Sequence, residues 1–122
     1  MPADEAAIVD FNCRLAWETE HKQLDHATVT LGVRAALADQ HKARYFVATV
    51  DGAVVGQMMH TREWSDWRNG DFWWLQSVYV LPEYRGRGVF RLLFEHVRQL
   101  AQTTPHVVGL RLYVEQDNSA AQ

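Results

Sequence analysis

Two glycines spaced by one residue, Gly86 and Gly88, stand among Arg85, Arg87, Arg91 and Arg98. An apolar run, Val78-Tyr79-Val80-Leu81, precedes them, and Phe90, Leu93, Phe94, Val97, Leu100 and Ala101 follow at helical spacing. A strand that turns into the first residues of a helix can bind an anion. The first backbone N–H groups of a helix have no intrahelical acceptor, and the dipole places partial positive charge on them. A phosphate or pyrophosphate satisfies both needs. Glycine suits such a turn because a side chain would keep the anion from the amides and because positive φ is tolerated. The arginines add charge-assisted donors.

Other chemistries find less support. Position 91 is arginine where a dinucleotide fingerprint wants its third glycine, and no Gly-Lys-Ser/Thr completes a P-loop. The six histidines, His21, His26, His41, His60, His96 and His106, lack paired ligand spacing, so no metal is expected. Cys13 sits among apolar residues with no histidine beside it and reads as a small hydrophobe rather than a nucleophile. No G-x-S-x-G elbow surrounds Ser65 or Ser77. The four clustered tryptophans divide: Trp73 or Trp74 belongs to a core, while Trp64 and Trp67 read as loop residues that could wall an amine.

The elements that must position this loop are legible from periodicity. Ile8, Phe11, Leu15 and Ala16 mark a helix from Pro2 to about Thr19, and Val29, Val33, Ala36 and Leu37 mark a second starting near Asp25. Tyr45 to Val50, the Asp51-Gly52 turn and Ala53 to Gly56 form a hairpin. Trp64 to Gly70 reads as a turn, and Phe72 to Val80 as a central strand buried on both faces, ended by Pro82. Val107 to Glu115 is a last strand, and Asp117-Asn118-Ser119 resembles a helix cap. The helix between the last two strands allows a right-handed crossover, which makes them parallel. The expected fold is therefore α/β, a mixed and mostly antiparallel sheet with helices on both faces, in one domain over residues 1–122.

Length and charge agree. The 122 residues support one core. A net charge of −3 argues against a nucleic-acid partner. No apolar run reaches membrane-spanning length, and the lone cysteine suits a reducing compartment, so a cytoplasmic protein is expected.

The pattern Val-x-Val-x-Pro-x-x-Arg-Gly-x-Gly, followed by an amphipathic helix, resembles the acetyl-CoA motif of the GCN5-related N-acetyltransferases. The resemblance extends to the order of elements, including a splayed parallel strand pair. It implies that the Val78-Tyr79-Val80 segment lies along the pantetheine arm, with the backbone of Val78 and Val80 pairing to it. Main-chain amides from Arg85, Gly86, Arg87, Gly88 and Val89 would hold the pyrophosphate, and Asn118 would approach the pantetheine. The implied activity is transfer of an acetyl group to a primary amine of a small molecule or peptide. Rival readings are a CoA-binding or assembly module without turnover, and an anion-binding regulatory domain.

There are departures from the family's pattern. Phe90 replaces a small residue, either as core or as an obstacle to the cofactor. The usual first strand and the C-terminal helix and strands have no counterpart, so the domain is expected to be incomplete at both ends. A homo-oligomer through a sheet edge is expected to compensate. Neither Tyr84 nor Tyr113 matches the family's thiolate-protonating tyrosine, and no catalytic residue is assigned. Glu63, Asp66 and Asp71 are the nearest acidic candidates for a base, each also readable as a solvated loop carboxylate, and Gln76 could orient water or substrate.

Overall fold

The computed structural model describes residues 4–112. Helices α1 (Glu5–Glu20) and α2 (His26–Ala38) come first, followed by strands β1 (Arg44–Val50), β2 (Ala53–Ser65) and β3 (Gly70–Val80). A 3-10 turn (Pro82–Tyr84), helix α3 (Val89–Thr103) and strand β4 (Val107–Leu112) complete the order. Asp25 caps α2 by accepting from Thr28 N–H, and Asp51 and Gly52, both at positive φ, turn the first hairpin.

The sheet runs β1-β2-β3-β4, with both hairpins antiparallel and β3 parallel to β4. That is the mixed sheet expected. Residues 113–122 lie outside the described residues, and with them Tyr113, Asn118 and the stretch of last strand that would flank Val78 to Val80. Among the described residues, β4 pairs with β3 only from Asp71 to Leu75, and the outer edge of β1 has no partner.

Two expectations need correction. The segment Trp64 to Gly70 is not all turn: β2 continues to Ser65, β3 begins at Gly70, and only residues 66–69 connect them. The cross-strand pairs Glu63–Phe72 and Trp64–Asp71 extend the ladder through residues whose polarity suggested a loop. Cross-strand pairing with β3 outweighs weak strand propensity here. The central strand is also not buried on both faces, since Gln76 is exposed and Phe72 and Trp74 are half-buried.

A β-bulge explains the misleading pattern. Gln57 pairs with Tyr79 and Met59 with Gln76, so Ser77 and Val78 together oppose Met58. Ser77 has φ 52°, left-handed for a non-glycine residue. Side chains alternate along a strand, and one extra residue inverts the alternation. Trp73 and Leu75 face α3 before the bulge; Val78 and Val80 face it afterwards, while Tyr79 turns to α1.

Each face has its own core. Met58, Trp73, Leu75, Leu93, Val97 and Ala101 pack between sheet and α3, with Phe90 against them and 6.0 Å from Phe94. Phe90 is thus core. On the other face Ile8, Val9 and Val33 pack α1 and α2 against Tyr45 and Val47.

Candidate functional site

The glycine loop opens α3 as its residues dictate. Gly86 has φ 78° and Gly88 φ 83°, conformations that L side chains resist. A Cβ at either would meet nothing within 4 Å, so backbone conformation rather than crowding requires glycine. The space around them is available to a ligand. Leu92 N–H donates to Gly88 O at 3.0 Å, which starts the helical ladder. Among the described residues, the amides of Gly86 to Arg91 donate to no backbone acceptor outside the helix, and the first turn has none within it. Val89 points inward: a Cβ on Gly56 would lie 2.8 Å from Val89 Cγ1, so the helix start rests directly on β2.

Arg85 departs from the expected role. Its amide already donates to Pro82 O at 3.2 Å, because the 3-10 turn takes it. Its side chain folds back from the loop. Nε donates to Val80 O at 2.9 Å and Nη2 to Glu18 Oε1 at 2.7 Å, with the guanidinium 5.3 Å from the Tyr79 ring centre. Arg98 is likewise held by Glu95 at 2.7 Å. Arg87 and Arg91 are exposed and make no ion pair among the described residues, so they are the cations left for an anion at the loop.

Above the loop, Leu81 N–H donates to Val55 O at 2.9 Å, beside the pair Gly56–Val80. Antiparallel geometry then turns Val80's own N–H and carbonyl toward the opposite edge, the one β4 does not pair with in the described residues. The carbonyl is occupied by Arg85 Nε. Val78 belongs to the bulge, a little farther along this edge, and its side chain packs toward α3.

Sequence reasoning missed several polar residues around this strand. Tyr79 Oη donates to Glu18 Oε2, so one carboxylate from α1 accepts from both Tyr79 and Arg85. Burial pushes the Glu18 carboxyl up, yet these two bonds outweigh it and hold its pKa below the ordinary range. Burial and the Glu18 carboxylate push the Tyr79 phenol up, so the proton stays on the phenol at neutral pH. Gln57 is fully buried; its Nε2 donates to Ser77 O at 2.9 Å and to Asn12 Oδ1 at 3.0 Å. Asn12 Nδ2 donates in turn to Tyr45 Oη at 3.1 Å. Two residues in sequence never announce a bond across 67 positions, although an acidic Glu18 in the last turn of α1, against the helix dipole, was a usable sign.

The acidic candidates fare differently. Glu63 lies on β2, not in a loop, where it accepts from Trp74 Nε1 and pairs with Arg111 at 3.6 Å. Asp66 is in the turn, and Asp71 is the second residue of β3, its amide donating to His106 O at 2.7 Å. Gln76 donates to Thr61 Oγ1 at 2.9 Å. None of these is gathered at the glycine loop. Trp73 is core, whereas Trp64 and Trp67 are exposed, Trp64 on a strand and Trp67 in the turn.

A strand whose edge is unpaired among the described residues, running into an open, positively polarised helix start, can cradle a ligand with an amide-bearing arm and a phosphate. Residues 9–122 match the family model described as acetyltransferase (GNAT) family. The chain belongs to that family. Among solved structures, this GNAT chain is 49% identical to a possible acetyltransferase from Clostridium difficile 630, at a TM-score of 0.90, over 99% of this chain and 80% of that one. It shares the fold of a ribosomal-protein-alanine N-acetyltransferase from Brucella melitensis biovar Abortus 2308, 17% identical, TM-score 0.77, over 98% and 79%. A "predicted acetyltransferase with acetyl-CoA" from Clostridium acetobutylicum is similar to the same degree, 15% identical, TM-score 0.77, over 93% and 77%. No sequence among the curated proteins matches.

Proposed function

We propose that this GNAT chain binds acetyl-CoA at the loop Gly86 to Val89 and along the β3 edge beside Val78 to Val80, and transfers the acetyl group to a primary amine of a small molecule or peptide. The observation that carries this is the pair of left-handed glycines opening α3, with open space around both and unbonded amides beyond them. The pyrophosphate would take the amides of Gly86, Arg87, Gly88 and Val89, helped by the side chains of Arg87 and Arg91. The pantetheine arm would run along Val78-Tyr79-Val80, and the fold neighbour described with acetyl-CoA supports that choice of cosubstrate.

In the transfer, the amine nitrogen attacks the thioester carbon, the C–S bond breaks, and CoA leaves as thiolate. The amine gives its proton to water, and the thiolate takes one from water. Glu18 and Glu63 are already engaged by Tyr79, Arg85, Trp74 and Arg111, which favours catalysis by positioning and by backbone donors on the carbonyl.

The test is Gly88→Val. Valine at φ 83° is strained, so the loop must move and acetyl-CoA affinity should fall more than about tenfold. Calorimetric titration with acetyl-CoA, with ATP and NAD as controls, measures it. An unchanged dissociation constant would overturn the site.

A further inference from the structure

Gln57 is an unusual residue for the centre of a sheet. It has no exposure, and its side-chain oxygen Oε1 has no partner among the described residues. Burying an unpaired amide oxygen costs about 1–3 kcal/mol. Something must offset that cost.

The bulge next to it carries its own strain. A non-glycine residue in the left-handed region costs about 1–2 kcal/mol and persists only where surrounding contacts hold it. Ser77 is such a residue, and the side-chain hydrogen bond to its carbonyl comes from Gln57 Nε2 at 2.9 Å. The Gln57 amide is itself fixed from behind. Its Nε2 also donates to Asn12 on α1, and Asn12 is held by Tyr45 on β1. Three elements therefore determine how the bulged carbonyl points, and with it the peptide planes that follow at Val78 and Tyr79.

We infer that Gln57 is a positioning residue for acyl transfer: its buried amide clamps the Ser77 bulge and so aims the β3 backbone donors at the thioester carbonyl. This rests on the reading that acetyl-CoA lies along the β3 edge. Gln57 touches neither cofactor nor amine and acts through the strand. A polar group that merely tied α1 to the sheet would support stability without affecting the carbonyl of the bound thioester.

The experiment uses the full chain and two variants, Gln57→Leu and Gln57→Leu with Ser77→Gly. Acetyl-CoA affinity is measured by calorimetry. Turnover is followed as CoA release, with hydroxylamine as the acceptor probe. The carbonyl stretch of bound carbon-13 acetyl-CoA is read by infrared difference spectroscopy. Gln57→Leu should keep its acetyl-CoA affinity within about threefold while kcat falls roughly tenfold to a hundredfold, the pattern of a lost transition-state contact. Its bound carbonyl stretch should move back toward the free value. Ser77→Gly removes the left-handed penalty, so the double variant should recover part of both signals.

A folded Gln57→Leu with unaltered kcat and carbonyl stretch would overturn the inference while leaving the cofactor reading intact. Weakened stability without rescue by Ser77→Gly, or failure of both variants to fold, would mark Gln57 as core support and would also overturn it. If the unaltered chain does not bind acetyl-CoA, the cofactor reading fails and takes this inference with it.

Discussion

The two faces of the sheet are packed by different chemistry. Toward α3, large apolar side chains close a continuous core around Trp73, Met58, Leu75 and Val97, all nearly free of solvent. Toward α1 and α2 the apolar cluster is smaller, and polar links do much of the joining: Tyr45–Asn12–Gln57–Ser77 at the bulge and Glu18–Tyr79–Arg85 at the loop. Burial is non-directional and holds a fold together without fixing a carbonyl's orientation. Hydrogen bonds contribute less free energy but fix geometry. The α3 face should therefore govern stability, and the α1 face should govern the site.

The sharpest way to break that division is Trp73→Ala. It should cost about 3–5 kcal/mol in urea unfolding, while the folded fraction keeps its acetyl-CoA affinity. A variant of ordinary stability that no longer binds acetyl-CoA would reverse the assignment.

The next effect concerns His60, buried on the α3 face, stacked 3.9 Å from the Trp73 ring, with no hydrogen-bond partner on either ring nitrogen among the described residues. Burial first, then Arg44, pushes its pKa down from 6.5 to about 4. The unfolded chain therefore binds a proton that the native chain refuses. Stability from this group is fully present above pH 6.5 and is lost as pH falls toward 4, by about 3 kcal/mol. His60→Leu should flatten the urea midpoint across that window. An equally steep profile in the variant would move the cause elsewhere.

On the α1 face the expected stability effects are small. Glu18→Gln removes a partly exposed ion pair and should change stability by less than about 1 kcal/mol. It should nevertheless weaken acetyl-CoA binding, because Arg85 loses the partner that holds it on Val80. Tighter binding would instead show that Arg85 competes with the cofactor for that carbonyl. Least of all, Tyr45→Phe removes one donor acceptor pair behind Gln57 and should cost about 1 kcal/mol or less, with acetyl-CoA affinity unchanged. Thermal melts and titration measure both.

Much of this arrangement was readable from the chain. The helix periods around Ile8 and Leu93, the Asp51-Gly52 turn and the glycine-arginine loop each express a local rule, so they appear in the sequence as in the fold. The failures are non-local. Trp64 and Ser65 became strand because partners on β3 met them. The apolar run ending at Val80 seemed buried on both sides because the bulge moves the inward positions from 73 and 75 to 78 and 80, and nothing in Gln76-Ser77-Val78 announces an extra residue. Nothing in the sequence marked Gln57, which lies just past the expected strand Ala53 to Gly56, and Arg85 looked like a free phosphate ligand until Glu18 was seen beside it.

The inverted alternation at Ser77 also bears on which changes of length the gene could tolerate. Removing one residue from the turn at 66–69 shortens a connection that faces solvent. Removing Ser77 would take out the extra residue itself, leaving Val78 and Val80 toward α3 and Tyr79 toward α1 on a strand of unbroken two-residue period. Inserting one more residue that the bulge did not absorb would instead exchange inside for outside over the last third of β3, far more than any substitution there. Chains of this kind should fold after losing one residue at the hairpin turn or at the bulge and refuse one gained at the bulge, a bias that a library of single-residue insertions and deletions would expose directly.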